Sequence, residues 1–409
     1  MSAPMLFMPE RHSALDAAPW DEAKVRAAIQ AIVDDTCERF DSRTLRPPHP
    51  GDADEDHPDR PLIPLYFGAA GVVWALEHLR EQGAANVAFD ATAAVDGLIE
   101  RCHADVEPNE MQRPSFFLGD AGILLLQWKL EREPALADAL CASVQSNLRN
   151  PAREALWGSP GTLVAALHML EATGEERWHE LFMLGVAILW DEMETAQHSL
   201  GGEPVWLWTQ DLYGKQVRYL GAGHGFAGNM YPVLRGARWL DPADVRGFEE
   251  RAFETLSVAA TRSDGQANWE PNFDRVAVGF PSKPLVQDCH GAPGIVSRLA
   301  TTTDARLRGL LVEGGELIWA AAPLAKPPGL CHGTDGNGYA FLKLYAMTGE
   351  TRWLERARAF AMHALRQSEA ARAALGRRRY SLWTGDLGLA VYLWGCINAD
   401  AALPTLDVF

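Results

Sequence analysis

The feature that most constrains this chain is a seven-fold recurrence of Gly-x-x-Gly, each copy opening a strongly apolar stretch. The copies are FGAAGVVWALEHL (67–79), LGDAGILLLQWKL (118–130), WGSPGTLVAALHML (157–170), HGFAGNMYPVL (224–234), HGAPGIVSRLA (290–300), HGTDGNGYAFLKLY (332–345) and TGDLGLAVYLWGCI (384–397). A further helical segment precedes each copy. The first, DEAKVRAAIQAIVDDTCERF (21–40), sets Val25, Ala28, Ile29 and Ile32 on one face and charges on the other, a period of 3.6. Similar segments lie near 88–104, 133–149, 175–196, 244–262, 304–322 and 351–375, and strand signals are weak throughout. The expected fold is therefore all-α: an α/α toroid of seven apolar inner helices ringed by seven amphipathic outer ones. Glycine suits the inner helix starts because it tolerates unusual backbone angles at a turn and lets seven helix ends approach closely.

A chain of 409 residues exceeds the usual reach of one hydrophobic core. A closed repeat escapes that limit, since each unit buries its face on its neighbours. Residues 1–409 are thus expected to form a single domain, with 1–20 and 41–60 irregular. The net charge of −17 provides no basic field to displace phosphate counterions, which argues against a nucleic-acid partner. No basic segment followed by a long apolar run opens the chain, and LGLAVYLWGCI (387–397) is short of the ~20 residues a bilayer span needs. No membrane span and a cytoplasmic location are expected. Cysteines 37, 102, 141, 289, 331 and 396 lack compact framework spacing, which suits reduced thiols and a metal site better than disulfides.

The two residues before each first glycine separate the repeats. They are Tyr66-Phe67, Phe117-Leu118, Leu156-Trp157 and Trp383-Thr384 in repeats one, two, three and seven. In repeats four to six they are Gly223-His224, Cys289-His290 and Cys331-His332. Equivalent positions of a toroid face the same end of its axis, so these cysteines and histidines should converge. Two thiols with imidazole form a zinc-type ligand set, and three protein ligands with a vacant fourth position mark a catalytic site. The alternative is two buried free cysteines beside helix-capping histidines. Repeat symmetry leaves the third ligand open among His224, His290 and His332.

The strings GAGHGFAG (221–228), CHGAPGIV (289–296) and GLCHGTDGNGYAFLKLY (329–345) resemble the lanthionine synthetase C-like family, with the likeness running through all seven repeats. FLGDAG (117–122) and the ending PTLDVF (404–409) are similar to those of its stand-alone, eukaryotic-type members. The resemblance implies an α/α toroid holding one Zn²⁺ per chain on Cys289, Cys331 and His332. It implies that His224 is a catalytic acid/base and places Glu154 where stand-alone members carry a catalytic Glu. It further implies glutathione as co-substrate, contacted by Lys326 and by the basic run GRRRYSLWTG (376–385), from which Arg377 and Arg379 are the candidate contacts. That run keeps the charge but not the family's letters. Asp288 also departs from the family, which usually has Trp there; an acid at this place either orients a ligand or changes the pocket wall. His290 is expected to be structural or to support the ligands.

The implied reaction is Michael addition of a thiol to dehydroalanine or dehydrobutyrine in a peptide or protein. A thiol of pKa about 8.5 is mostly protonated at neutral pH, and coordination deprotonates it. Attack at the β-carbon leaves an enolate whose α-carbon needs a proton, for which His224 is the candidate donor. Glu154 would orient His224 or take the thiol proton, and Lys326 would pair with a glutathione carboxylate. The alternatives are a lanthipeptide cyclase, in which the thiol is a cysteine of the substrate peptide, and a zinc- or glutathione-binding protein without turnover. A toroidal glycosidase lacks an obvious carboxylate pair. The two longest connections contain 198–220 and 263–288, both rich in Trp, Pro and Gly, and are expected to wall the metal's mouth and select substrate.

Overall fold

The computed structural model describes residues 4–16, 18–40, 49, 52, 62–105, 111–197, 204–277 and 283–409. Most of the expected irregular stretch 41–60 lies outside the described residues, as do 198–203 and 278–282 of the two long connections. The inner helices are α2 (Ala69–Glu81), α5 (Asp120–Glu131), α7 (Ser159–Thr173), α9 (Phe226–Arg235), α12 (Ala292–Leu299), α14 (Thr334–Thr348) and α16 (Asp386–Asn398). The outer positions hold α1 (Glu22–Arg39), the pair α3 (Ala91–Val95) and α4 (Leu98–Asp105), α6 (Pro134–Asn147), α8 (Glu176–Asp191), α10 (Pro242–Ala259), α13 (Ala305–Ala321) and α15 (Thr351–Leu375). A short α11 (Phe273–Ala277) lies in the second long connection. Each inner helix touches the next, α16 returns to α2, and α1 packs on α16. The ring is therefore closed, as an α/α toroid with seven inner and seven outer positions.

Burial follows the two sequence patterns. Every residue of α14 from Thr334 to Leu344 is buried, whereas α15 buries a stripe including Trp353, Ala357, Phe360 and Ala364 and exposes Arg352 and Arg372. Each fully buried Leu or Phe contributes about 1.5–3 kcal/mol relative to exposure. Four outer positions begin with an Asp side chain accepting a backbone N–H, from Asp21, Asp90, Asp241 and Asp304. The inner helices begin at the first glycine of each repeat, with no side-chain cap.

The second glycine explains the repeat. A Cβ there would lie 1.8–2.4 Å from the carbonyl oxygen six residues earlier, in all seven copies; the extremes are Gly294 and Gly336 at 1.8 Å and Gly228 at 2.4 Å. No side chain fits that approach. The unusual backbone angle expected of the first glycine occurs only at Gly225 (φ +134) and Gly291 (φ +102); the other five are extended and serve close approach alone.

The structure departs from the sequence reading in two further ways. The second outer position is broken at Gly97 (φ +69) rather than continuous over 88–104. Three antiparallel strand pairs follow outer helices that end earlier than expected, at Asp191 and Ala259. They are β1 (Glu194–Gln197) with β2 (Pro204–Leu207), β3 (Gln210–Leu212) with β4 (Lys215–Val217), and β5 (Ala260–Ser263) with β6 (Gln266–Trp269). The turns Tyr213-Gly214 and Asp264-Gly265 each place two residues at positive φ, the geometry that joins two-residue hairpins. Asn268 of β6 accepts the Ala292 N–H at 2.9 Å, tying this hairpin to the start of α12. No helix among the described residues is long and apolar enough to cross a membrane.

Candidate functional site

The residue two before each first glycine faces the axis. Tyr66, Phe117, Leu156, Gly223, Cys289, Cys331 and Trp383 all line one axial cavity. Backbone bonds join most of them into a belt. The N–H of Gly223 donates to Cys289 (3.4 Å), Cys289 to Cys331 (3.3 Å), Cys331 to Trp383 (2.9 Å), Trp383 to Tyr66 (3.0 Å) and Tyr66 to Phe117 (3.0 Å). The belt opens at Leu156, whose N–H donates instead to Glu154 Oε2 at 2.9 Å. The neighbouring slot, one before the glycine, points elsewhere. His332 and Thr384 of that slot border a separate cleft rather than the axial cavity.

One ligand atom from each of Cys289, Cys331 and His332 lies within 4.8 Å of the others. Cys331 Sγ and His332 Nε2 are 3.4 Å apart. Two such ligands on a tetrahedral zinc stand about 3.6 Å apart, given Zn–S near 2.3 Å and Zn–N near 2.0–2.1 Å. Burial, and then Cys289 beside it, pushes the Cys331 thiol well above its usual range, while His332 pulls it back. A cation between the sulfurs reverses that balance by stabilising both thiolates. The donor set and its spacing therefore fit zinc. Both sulfurs are buried and His332 is exposed, so the triad sits between the axial cavity and solvent.

The turn carrying Cys331 and His332 is held rigidly. Gly333 N–H donates to Gly329 O at 2.7 Å, the Asp335 carboxylate accepts the Gly329 N–H at 2.5 Å, and Asn337 donates to Val286 O at 2.9 Å. His224 lies in the loop before α9, with Nδ1 2.8 Å from Glu154 Oε2. Glu154 is fully buried and also accepts the N–H groups of Leu156 (2.9 Å) and Trp157 (2.6 Å). Three donors on one carboxylate leave His224 Nε2 as the nitrogen turned away from it.

His290 has its ring centroid 6.3 Å from that of His224 and 5.4 Å from that of Tyr219. Burial, then His224 and His332, lowers its pKa to about 3, so the ring is neutral. Asp288 forms a buried, two-pronged ion pair with Arg298, at 3.1 and 2.8 Å. Arg298 also lies 5.8 Å from the Trp383 ring centroid. The acid at 288 thus braces the wall of the axial cavity.

Lys326, Arg377 and Arg379 surround, with His332, a cleft of ≈ 490 Å³. Arg378 turns inward to Ser368 Oγ at 2.8 Å, while Arg379 pairs with Asp52 through Nε at 2.9 Å. Burial lowers the pKa of Lys326, and Cys289 acts in the opposite sense. The two long connections both reach the site. Tyr213 lies 5.1 Å from Trp157 and 6.1 Å from His224, Tyr219 lies against both loop histidines, and the second connection supplies Gln287.

Four neighbours of the site were not singled out in the sequence. Tyr66 faces the thiols: burial, then Cys331 and Cys289, pushes its phenol well above its usual value. It occupies the cysteines' slot in repeat one, a signal present in the repeat alignment. Arg298, Gln287 and Arg11 have no such signal.

The family model for lanthionine synthetase C-like protein matches residues 63–408. LanC-like protein GCL1 of Arabidopsis thaliana is 34% identical over 159 residues, which are 37% of this chain and 34% of that protein. Glutathione S-transferase LANCL1 of Danio rerio is 33% identical over 154 residues, which are 36% of this chain and 35% of that protein. The matched stretch thus spans about a third of the length of each curated relative. The solved structure of nisin cyclase superposes with a TM-score of 0.61 at 15% identity, covering 94% of this chain and 96% of that one, a likeness of fold.

Proposed function

This chain belongs to the lanthionine synthetase C-like family, and from that premise we propose that it catalyses zinc-dependent addition of a thiol, glutathione, to dehydroalanine or dehydrobutyrine residues of a peptide or protein. The observation that carries this reading is the Cys289–Cys331–His332 triad opening beside a cleft lined by Lys326, Arg377 and Arg379. Bound there, Zn²⁺ supplies the Lewis acidity that lets a thiol ionise at neutral pH. Two thiolates and a neutral imidazole balance its double charge.

The protein's own residues do the rest. Lys326, Arg377 and Arg379 of the cleft face the two carboxylates of glutathione and orient its sulfur toward the triad. Sulfur attacks the β-carbon of the dehydroamino acid, a carbon–sulfur bond forms, and the alkene electrons move to the α-carbon enolate. His224, held by Glu154 through Nδ1, delivers the proton that completes the thioether from Nε2. Glu154 is fully buried and already accepts two backbone N–H groups besides His224, so its role is to fix the His224 tautomer and ring direction. The thiol's proton restores His224.

The test is a purified-protein assay on two dehydroalanine peptides. One lacks cysteine and is offered glutathione; the other carries an internal cysteine. A glutathione adduct on the first is expected. Ring closure on the second alone would make the protein a peptide cyclase. Neither product, at one zinc per chain, would leave a binding protein without turnover. Cys331→Ala is expected to abolish the stoichiometric zinc measured by elemental analysis; retention of one equivalent refutes the ligand set.

A further inference from the structure

Building on the zinc reading above, we propose that Gln287 is a positioning residue for the metal centre: it donates to the Cys289 ligand, and Arg11 and Lys326 fix the direction in which it does so. Gln287 is buried, and its Nε2 lies 3.0 Å from Cys289 Sγ. Its Oε1 lies 3.4 Å from Arg11 Nη2 and 3.5 Å from Lys326 Nζ. The two ends of a carboxamide have nearly the same shape, so packing alone would not choose between them. Chemistry does. Arg and Lys have only donors, so the oxygen must face them and the NH₂ group must face the sulfur.

The backbone closes off the other freedom. Gln287 N–H donates to His290 O at 3.1 Å, and His290 N–H donates back to Gln287 O at 3.2 Å, pinning the turn that carries Cys289. Arg11 is delivered across the whole chain. Ala325 N–H donates to Arg11 O at 2.9 Å, and Ser13 N–H to Pro323 O at 2.9 Å, so residues 11–13 run beside the segment that carries Lys326. Two cations thus polarise one amide, and the amide polarises one sulfur. An N–H donor stabilises thiolate over thiol and draws electron density from the sulfur. That leaves a metal bound there with a weaker donor and a stronger pull on its fourth ligand. The arrangement is the supporting contact that metal ligands commonly need for orientation and tuning.

The test uses the full chain with Co²⁺ in place of zinc. Gln287→Leu removes the donor. Gln287→Glu keeps an oxygen for Arg11 and Lys326 but offers the sulfur no N–H, which covers the case of a leucine variant that does not fold. Both variants are expected to bind one Co²⁺ with the thiolate-to-cobalt absorption band moved to lower energy. Zinc affinity, by competition with a chromophoric chelator, should fall about 10-fold or more. Lys326→Met should move the band in the same direction by less, because the carboxamide is then held by Arg11 alone. An unmoved band and unchanged affinity in a fully loaded Gln287 variant overturn the proposal while leaving the zinc reading intact. A wild-type chain that takes up neither metal overturns both.

Discussion

The inner helices bring polar groups to the ring's axis at two levels, and the levels are built differently. At their later turns the groups are fully paired. Asp407 accepts from Lys343 Nζ (2.7 Å), Tyr231 OH (2.8 Å) and the Leu403 N–H (2.6 Å). Arg235 donates to both oxygens of Glu171 (2.9 and 2.7 Å) and to Asp407 O (3.2 Å), and His168 bonds to Thr405 O at 3.1 Å. At the helix starts stand a pair of buried thiols, a half-buried histidine held by a buried acid, and His290, whose Nδ1 has no hydrogen-bond partner among the described residues. Seven helices converging on an axis produce a polar cluster at either level. Complete pairing makes one of them a fastener, while unmet capacity beside an open cleft makes the other a place for chemistry.

The largest effect that would break this contrast is at the helix starts. On the proposed mechanism His224→Ala lowers kcat by about 10²–10⁴-fold, the usual contribution of a positioned proton donor. Zinc content should stay at the wild-type value, since His224 is not a proposed ligand, and stability should fall less than at Asp407 because Glu154 keeps the Leu156 and Trp157 N–H groups. A variant that loses stability in place of rate would put His224 with the fasteners.

Asp407→Ala is the counterpart at the later turns. It leaves Lys343 buried without its carboxylate, and removing one partner of a buried pair costs about 3–5 kcal/mol. Burial alone would push the Asp407 carboxyl up; Lys343, then the Leu403 N–H and Tyr231, hold it below the usual range. Urea denaturation should show the loss, while the folded fraction still binds one zinc. Loss of metal without loss of stability would mean that the two levels are not separate.

How much of this was legible in the chain depends on the kind of constraint. The ring was legible because the second glycine of each repeat answers a steric demand that no other residue meets, as at Gly294 and Gly336. Cys289 and Cys331 were legible because they share a slot with Tyr66, Phe117 and Trp383 in a belt of backbone bonds. The histidines were harder. His290 and His332 occupy one slot, and only side-chain direction separates the exposed ligand candidate from the half-buried ring beside His224. Arg11 with Gln287 left no trace, since their contact joins residues 276 apart. The strand pairs were missed for a local reason. Pairs of three or four residues are too short to show a period of two, although Asp264-Gly265 carried the turn signal.

The smallest expected effect is the share of the pH dependence that His168 brings at the later turns, which a substitution there separates from that of His290. His168 donates from Nε2 to Thr405 O, and its Nδ1 faces Arg235 Nη2 at 3.3 Å, so only the neutral ring satisfies both contacts. Burial first, then Arg235, lowers its pKa to about 3 from 6.5. A base whose folded pKa is depressed binds its proton only after unfolding. Stability is therefore complete above pH 6.5 and falls as the pH drops from there toward 3. Each unit corresponds to about 1.4 kcal/mol, so at pH 5 the loss from this group is about 2 kcal/mol. His168→Gln keeps an amide donor and an acceptor but no titration. Urea midpoints of the two proteins followed from pH 7.5 to 5 should diverge by that amount, with the wild type falling faster. Parallel curves would show that the ring is already charged when folded, and the later turns would then hold an unmet group of their own.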